Sequence, residues 1–158
     1  MTSGTSITSS AVRSVAVQGW AGLAVWMTFG LLIEGLIGFR SPAYLQDPLR
    51  RELFQLAHAH GTVFSILLLV AGLYRQKGMI APPTLAVFSL RLGTVLMPLG
   101  FLFGGIWHYG NDPGPGVFLA PLGGLMIIFG VTAIAISSFG GPETAAEVGT
   151  ESKEPEKK

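Results

Sequence analysis

The sequence predicts an all-α membrane protein, a bundle of four transmembrane helices in up-down-up-down order with short loops, and three observations predict it. Hydrophobic residues make up 49% of the 158-residue chain and charged residues only 12%, against about a quarter charged in soluble domains. Four apolar stretches each reach the roughly twenty helical residues that a hydrocarbon core requires. The charges also avoid those stretches: eight of the nineteen Asp, Glu, Lys and Arg residues follow Gly141, and only Glu34 and Arg91 stand well inside an apolar run.

The first span is placed near 16–39, after a Ser/Thr-rich segment, 1–13, read as disordered. Its apolar run is too long for a signal peptide, and no small-x-small cleavage site follows it. The second, near 51–74, is preceded by Asp47 and Pro48, an N-cap residue and a first-turn proline. The third and fourth, near 85–107 and 117–139, carry prolines and many glycines, which membrane helices tolerate. Pro98 should bend the third helix by removing a backbone donor. Trp20, Phe39, Tyr44, Tyr74, Trp107, Tyr109 and Phe118 lie near span ends, where half-wetted aromatic rings are favoured. Buried soluble helices of this length would need polar faces that these lack. Residues 141–158 form a charged tail without aromatics, read as disordered.

Composition excludes several classes. A net charge of +1 gives no basic surface for nucleic acid. The absence of cysteine removes disulfides, iron–sulfur ligation, thiolate zinc sites and covalent c-type haem attachment. No phosphate-binding glycine loop, HExxH helix or Ser/His/Asp set is present. Nothing in the residues names an enzyme.

Function is therefore sought in ionisable groups within the spans, which are costly in lipid unless paired or solvated. Within the spans these are Glu34, His58, His60 and Arg91, with His108 at the membrane edge; Glu34, His58, His60 and His108 are the relay or ligand candidates. If the first helix ends near Phe39 and the second starts near Arg51, Glu34 lies about 7 Å and His58 about 10 Å below one surface. His58 shares its helix face with Arg51, Gln55, Thr62, Ser65 and Gly72, whereas His60 points roughly 160° away among apolar residues. Glu34 shares its face with Gly30 and Gly38, which let another helix approach. A buried Glu34–His58 pair is expected, with His108, Tyr109 and Asp112 at the same end.

Such a pair fixes helix register, relays protons, or with His108 holds a divalent metal or a haem. His60 reads as structural, and Arg91 as snorkelling to the opposite headgroups. Gly100 and Gly104 form a GxxxG step that serves helix packing first and self-association second. The tetrapeptide His58-Ala-His-Gly resembles short histidine motifs in helices of haem–copper oxidase-type membrane proteins, over four residues only. The stretch RRELFQLAHAHG, Arg50 to Gly61, is similar to the second helix of uncharacterised small bacterial membrane proteins, which implies a fold and no activity.

The role expected is a subunit or accessory protein of a membrane complex; the alternative is a haem- or metal-binding or proton-relay protein using Glu34 and His58. Lipid and other membrane subunits are the expected partners. Arg13, Arg75, Lys77 and the tail lysines lie on one side and Arg40, Arg50 and Arg51 on the other. This favours cytoplasmic termini, in a bacterial inner membrane.

Overall fold

The computed structural model describes residues 3–80 and 82–139, with side chains from Arg13 onward. Among these residues the chain forms four long helices and one short one: α1 (Ser3–Gly38), α2 (Pro42–Leu45), α3 (Pro48–Gln76), α4 (Thr84–Ile106) and α5 (Leu119–Phe139). A 3₁₀ turn, Pro115–Phe118, leads into α5. Four segments are long and apolar enough to cross a membrane: Arg13–Gly38, Pro48–Gln76, Thr84–Ile106 and Pro115–Phe139.

Two features depart from expectation. Helix α1 begins at Ser3, so the segment 1–13, read as disordered, is helical over its described part. No proline separates Ser3 from the apolar run, and Ser and Thr are only mildly unfavourable in a helix, so the turn pattern propagates backwards. Secondly, the joint between α1 and α3 holds the short helix α2. The tail 141–158 lies outside the described residues.

The helix ends follow from capping chemistry. Asp47 accepts a hydrogen bond from the backbone N–H of Arg50 at 3.0 Å, and Pro48 occupies the first turn of α3, a site where its missing donor costs nothing. Gly78, with φ of 69°, closes α3 by donating to the Arg75 carbonyl while Met79 donates to Tyr74. Helix α1 ends in the same double bond, Arg40 N–H to Ile37 and Ser41 N–H to Leu36, but the left-handed position is held by Arg40, with φ of 51°. A side chain there costs about 1 kcal/mol that glycine avoids.

Packing between helices is built on glycine notches. Gly19 receives Leu69, Gly22 receives Ser65 and Gly30 receives the His58 ring, while from the other side Gly61 receives the Trp26 ring and Gly72 receives Val15. As the α1 number rises, the α3 number falls. The same holds between α4 and α5 with the turn before it, where Gly93 lies against Ile127, Gly100 against Ala120 and Gly104 against Val117 of the turn. Gly105 takes Leu53 and Phe54 of α3, which joins the two pairs. One apolar core gathers Val15, Leu68, Leu90 and Ile127, and another gathers Ile33, Tyr44 and Phe54. The Gly100/Gly104 step is thus filled from within the chain, both glycines being buried against α5 and the turn before it.

A methyl group added at Gly123 would meet the Met97 backbone nitrogen at 2.5 Å, whereas nothing lies within 4 Å of one at Gly35. Gly123→Ala should therefore lower stability by about 1–3 kcal/mol, because backbone cannot be pushed aside cheaply. Gly35→Ala should be neutral or stabilise by up to about 1 kcal/mol through helix propensity. Thermal unfolding of both variants in detergent tests this, and equal melting temperatures would refute the notch account.

Candidate functional site

The polar residues within the apolar helices sort into separate arrangements. His58, on α3, is half-buried against α1, and its Nδ1–H donates to the backbone carbonyl of Trp26 at 2.8 Å. Because a carbonyl can only accept, this bond places the ring proton on Nδ1. Trp26 returns the contact by laying its ring over Gly61. The two bulky rings and two glycines interlock, and the histidine acts as a helix-to-helix tie.

His60 faces elsewhere. Its Nδ1–H donates back along its own helix to the Leu56 carbonyl at 2.8 Å, and its ring packs between Phe64 and Phe101, with centroids 5.6 and 5.1 Å away. Two residues along a helix amount to about 200°, so the two histidines of His58-Ala-His-Gly diverge.

Glu34 does not meet His58. It is exposed on the outward side of α1, and among the described residues it makes no hydrogen bond or ion pair. The expected pairing took the two helices to reach one surface at Phe39 and Arg51. The notches instead set the His58 ring level with Gly30, four residues or about 6 Å from Glu34 along α1, and its hydrogen bond runs further away, to the Trp26 carbonyl.

His108 lies at the loop end, bound to Asp47 rather than to the other histidines. Its Nε2 is 2.7 Å from the Asp47 carboxylate, and its Nδ1 is 3.1 Å from the Gly110 carbonyl. Asp47 also caps α3 and lies 3.6 Å from the Arg50 guanidinium, which in turn donates to the carbonyls of Ala43 and Gly105. One carboxylate thus ties the start of α3 to the turn after α4. Burial pushes the Asp47 carboxyl up, but the Arg50 amide, His108 and the two positive charges outweigh this and hold it below its ordinary value of 3.8. Nearby Tyr44 is 1% exposed, and its hydroxyl has no partner among the described residues. Burial raises the phenol above 10.0; the Arg51 charge opposes this and the Glu34 charge adds to it.

At the opposite end, Arg91 takes part in a cluster that sequence reasoning missed. Its Nε donates to the Gln18 side-chain oxygen at 2.7 Å and its Nη1 to the Ser14 hydroxyl at 3.3 Å. The Gln18 amide nitrogen donates back to the Arg91 carbonyl at 2.8 Å and lies 3.4 Å from the Thr94 hydroxyl oxygen. Arg91 therefore bridges α4 to α1 instead of simply reaching outward. The available signal was depth, since Gln18 and Arg91 each lie a turn or two inside the same end of the chain's apolar helices.

Among the described residues, no three His, Asp or Glu side chains converge as metal ligands would. Glu34, His58, His60 and His108 occupy four different surroundings. No family model, curated protein or solved structure matches the chain.

Two tests follow. Replacing His58 by Phe removes the tie to Trp26 and should cost about 1 kcal/mol, whereas His60→Phe should stay within roughly 0.5 kcal/mol, since its bond is local; equal losses on unfolding in detergent would contradict the assignment. A carboxyl whose folded pKa lies below its unfolded value adds stability above the unfolded value and gives it up as pH falls through the folded one. The protection factors of the Tyr109–Asp112 amides should accordingly fall as the pH drops below about 4, where the unfolded carboxyl titrates. In Asp47→Asn the protection should already be low at neutral pH, with no acid step attributable to this site.

Proposed function

We propose that the chain is an integral membrane protein with its helices in up-down-up-down order, acting as a subunit or accessory protein of a membrane complex through helix contacts. The observation that carries this reading is the outward face of α1. Within the chain α1 packs mainly on α3, through its notches. Its far side presents Trp20, Ala24, Met27, Leu31, Glu34 and Gly38, all exposed, with Leu31 73% exposed. These positions alternate by four and three residues, the spacing of a helix-to-helix seam. Gly35 and Gly38 have open space around them, and small residues let a further helix approach closely. By contrast, the outward face of α5 is lined by large apolar side chains such as Leu122, Leu125, Ile128 and Phe129, which suits contact with lipid.

Glu34 sharpens the contrast. A charged side chain costs about 2.5–3.5 kcal/mol at a bilayer centre and less near a helix end, and Glu34 is four residues before the end of α1. A polar or cationic group on a neighbouring helix would offset that cost. Under this reading the bond from His58 to Trp26 is a tie between helices, and that of His60 is local to α3. The positive-inside preference places the termini in the cytoplasm of a bacterium, with Arg13, Arg75, Lys77 and the tail lysines on the inner side.

The chain has no native cysteine, so single cysteines report cleanly. Met27→Cys or Leu31→Cys should cross-link to a neighbouring polypeptide in native membranes, and Leu125→Cys on α5 should not. Cross-linking at neither α1 position would overturn the subunit reading. Extraction of the protein in monodisperse form without detergent would overturn the membrane reading.

A further inference from the structure

Arg91 carries a charge that nothing in the described chain neutralises. Its bonded partners, Gln18 and Ser14, are both neutral, and the ion pairs present among the described residues involve only Asp47, Arg50 and His108. Neutral oxygens orient a guanidinium without cancelling its charge, so in an apolar setting the cost of burying it stays largely unmet.

Immediately beyond this cluster a cleft of about 270 Å³ opens between α1 and α4. Its sides are Gln18, Gly22 and Val25 from α1 and Thr94, Val95 and Leu99 from α4, and α3 forms its floor. The two helices run the same way here, since Gln18 meets Arg91 and Thr94 while Val25 faces the cleft with Leu99 further along. The polar end of the cleft therefore lies beside the guanidinium, and the remainder is apolar apart from Ser65, whose hydroxyl is bonded to the Gly61 carbonyl. Arg13, Arg75 and Lys77 stand at the same end of the bundle, where Val15 meets Gly72, and basic residues at a membrane surface favour anionic lipid.

We propose that this cleft seats one acyl chain of an anionic phospholipid whose phosphate is held by Arg91. The proposal rests on the membrane reading above. A phosphodiester supplies the missing charge and accepts the forked donors of a guanidinium, and the acyl chain fills a space too apolar to hold water well. The bond between Gln18 and Arg91 positions the guanidinium at the mouth; Thr94, whose hydroxyl donates to the Arg91 carbonyl at 2.8 Å, props that corner.

Native mass spectrometry of the full chain, purified in mild detergent with equal amounts of phosphatidylglycerol and phosphatidylcholine of identical chains, tests this. The wild type should retain one phosphatidylglycerol in roughly tenfold preference, the scale of a charge-assisted contact. Arg91→Gln should bring the ratio close to one, and Arg91→Lys should keep most of it. Val95→Trp, which fills the cleft and leaves the polar cluster intact, should abolish retention of both lipids. Gln18→Ala, which removes the bond that positions the guanidinium, should lower the melting temperature and reduce the preference, though less than Arg91→Gln does. Equal retention of the two lipids by the wild type, or an unchanged preference in Arg91→Gln, would overturn the proposal. So would a free fatty acid as the retained species, or a two-chain complex that Val95→Trp dissolves. A protein that stays monodisperse without detergent fails earlier, at the membrane reading, before any headgroup ratio is measured.

Discussion

Close approach of helix backbones, made possible by glycine, is the constraint from which the rest of this architecture follows. Dispersion attraction falls away steeply with separation, so two apolar helices gain most where a bulky side chain meets a notch with no Cβ. Trp26 over Gly61 and His58 over Gly30 meet this condition reciprocally. Once those contacts are made, α1 cannot slide along α3 by a turn without driving two rings into side chains. The register so fixed decides the level of every other residue on α1: Gln18 comes beside Arg91, and Glu34 passes below His58 to the outer side.

The second tier of order is polar, and it acts at the two ends in different ways. At the loop end, the Asp47 carboxylate is shared among a helix cap, a guanidinium and an imidazole, so charges of both sign are present and the short helix α2 is held against α3 and α4. At the other end, Gln18 and Arg91 exchange hydrogen bonds through side chain and main chain alike. The first arrangement brings opposite charges into contact. The second supplies geometry and leaves a positive charge standing.

Four long helices and their approximate limits were legible in the sequence because apolar runs of that length have few other uses, and because Asp47-Pro48 and the turn residues punctuate them. The diverging histidines were legible too, since 100° per residue suffices to separate position 58 from 60. The partner of His58 was not. Locating it requires the relative height of α1 and α3, which depends on notch contacts distributed over both helices and on how many residues the intervening segment consumes. Taking Phe39 and Arg51 as equal in height ignored α2 and the start of α3 at Pro48. An error of about two residues in register followed, and the hydrogen bond of His58 runs further still from Glu34, to the Trp26 backbone carbonyl. Gln18 escaped attention for a different reason: an amide carries no charge, so it raises no alarm in an apolar run, yet it can satisfy both the side chain and the carbonyl of an arginine.

These positions leave two opposite charges unmatched, and they cannot satisfy each other. The Arg91 side chain sits beside Gln18, sixteen residues from Glu34 along α1, which is about 24 Å. At that distance, with an effective dielectric constant near 20, their attraction is only about 0.7 kcal/mol. Removing either charge from water costs several times as much. No rearrangement within the straight helix α1 brings the two together. With the helices in a bilayer, as proposed above, each charge would be met from outside the described chain, the carboxylate on the outer face of α1 and the guanidinium at the mouth of the α1/α4 cleft. The two faces differ in what they offer: the seam of α1 has spacing suited to another helix, whereas the cleft has one cation at its polar end.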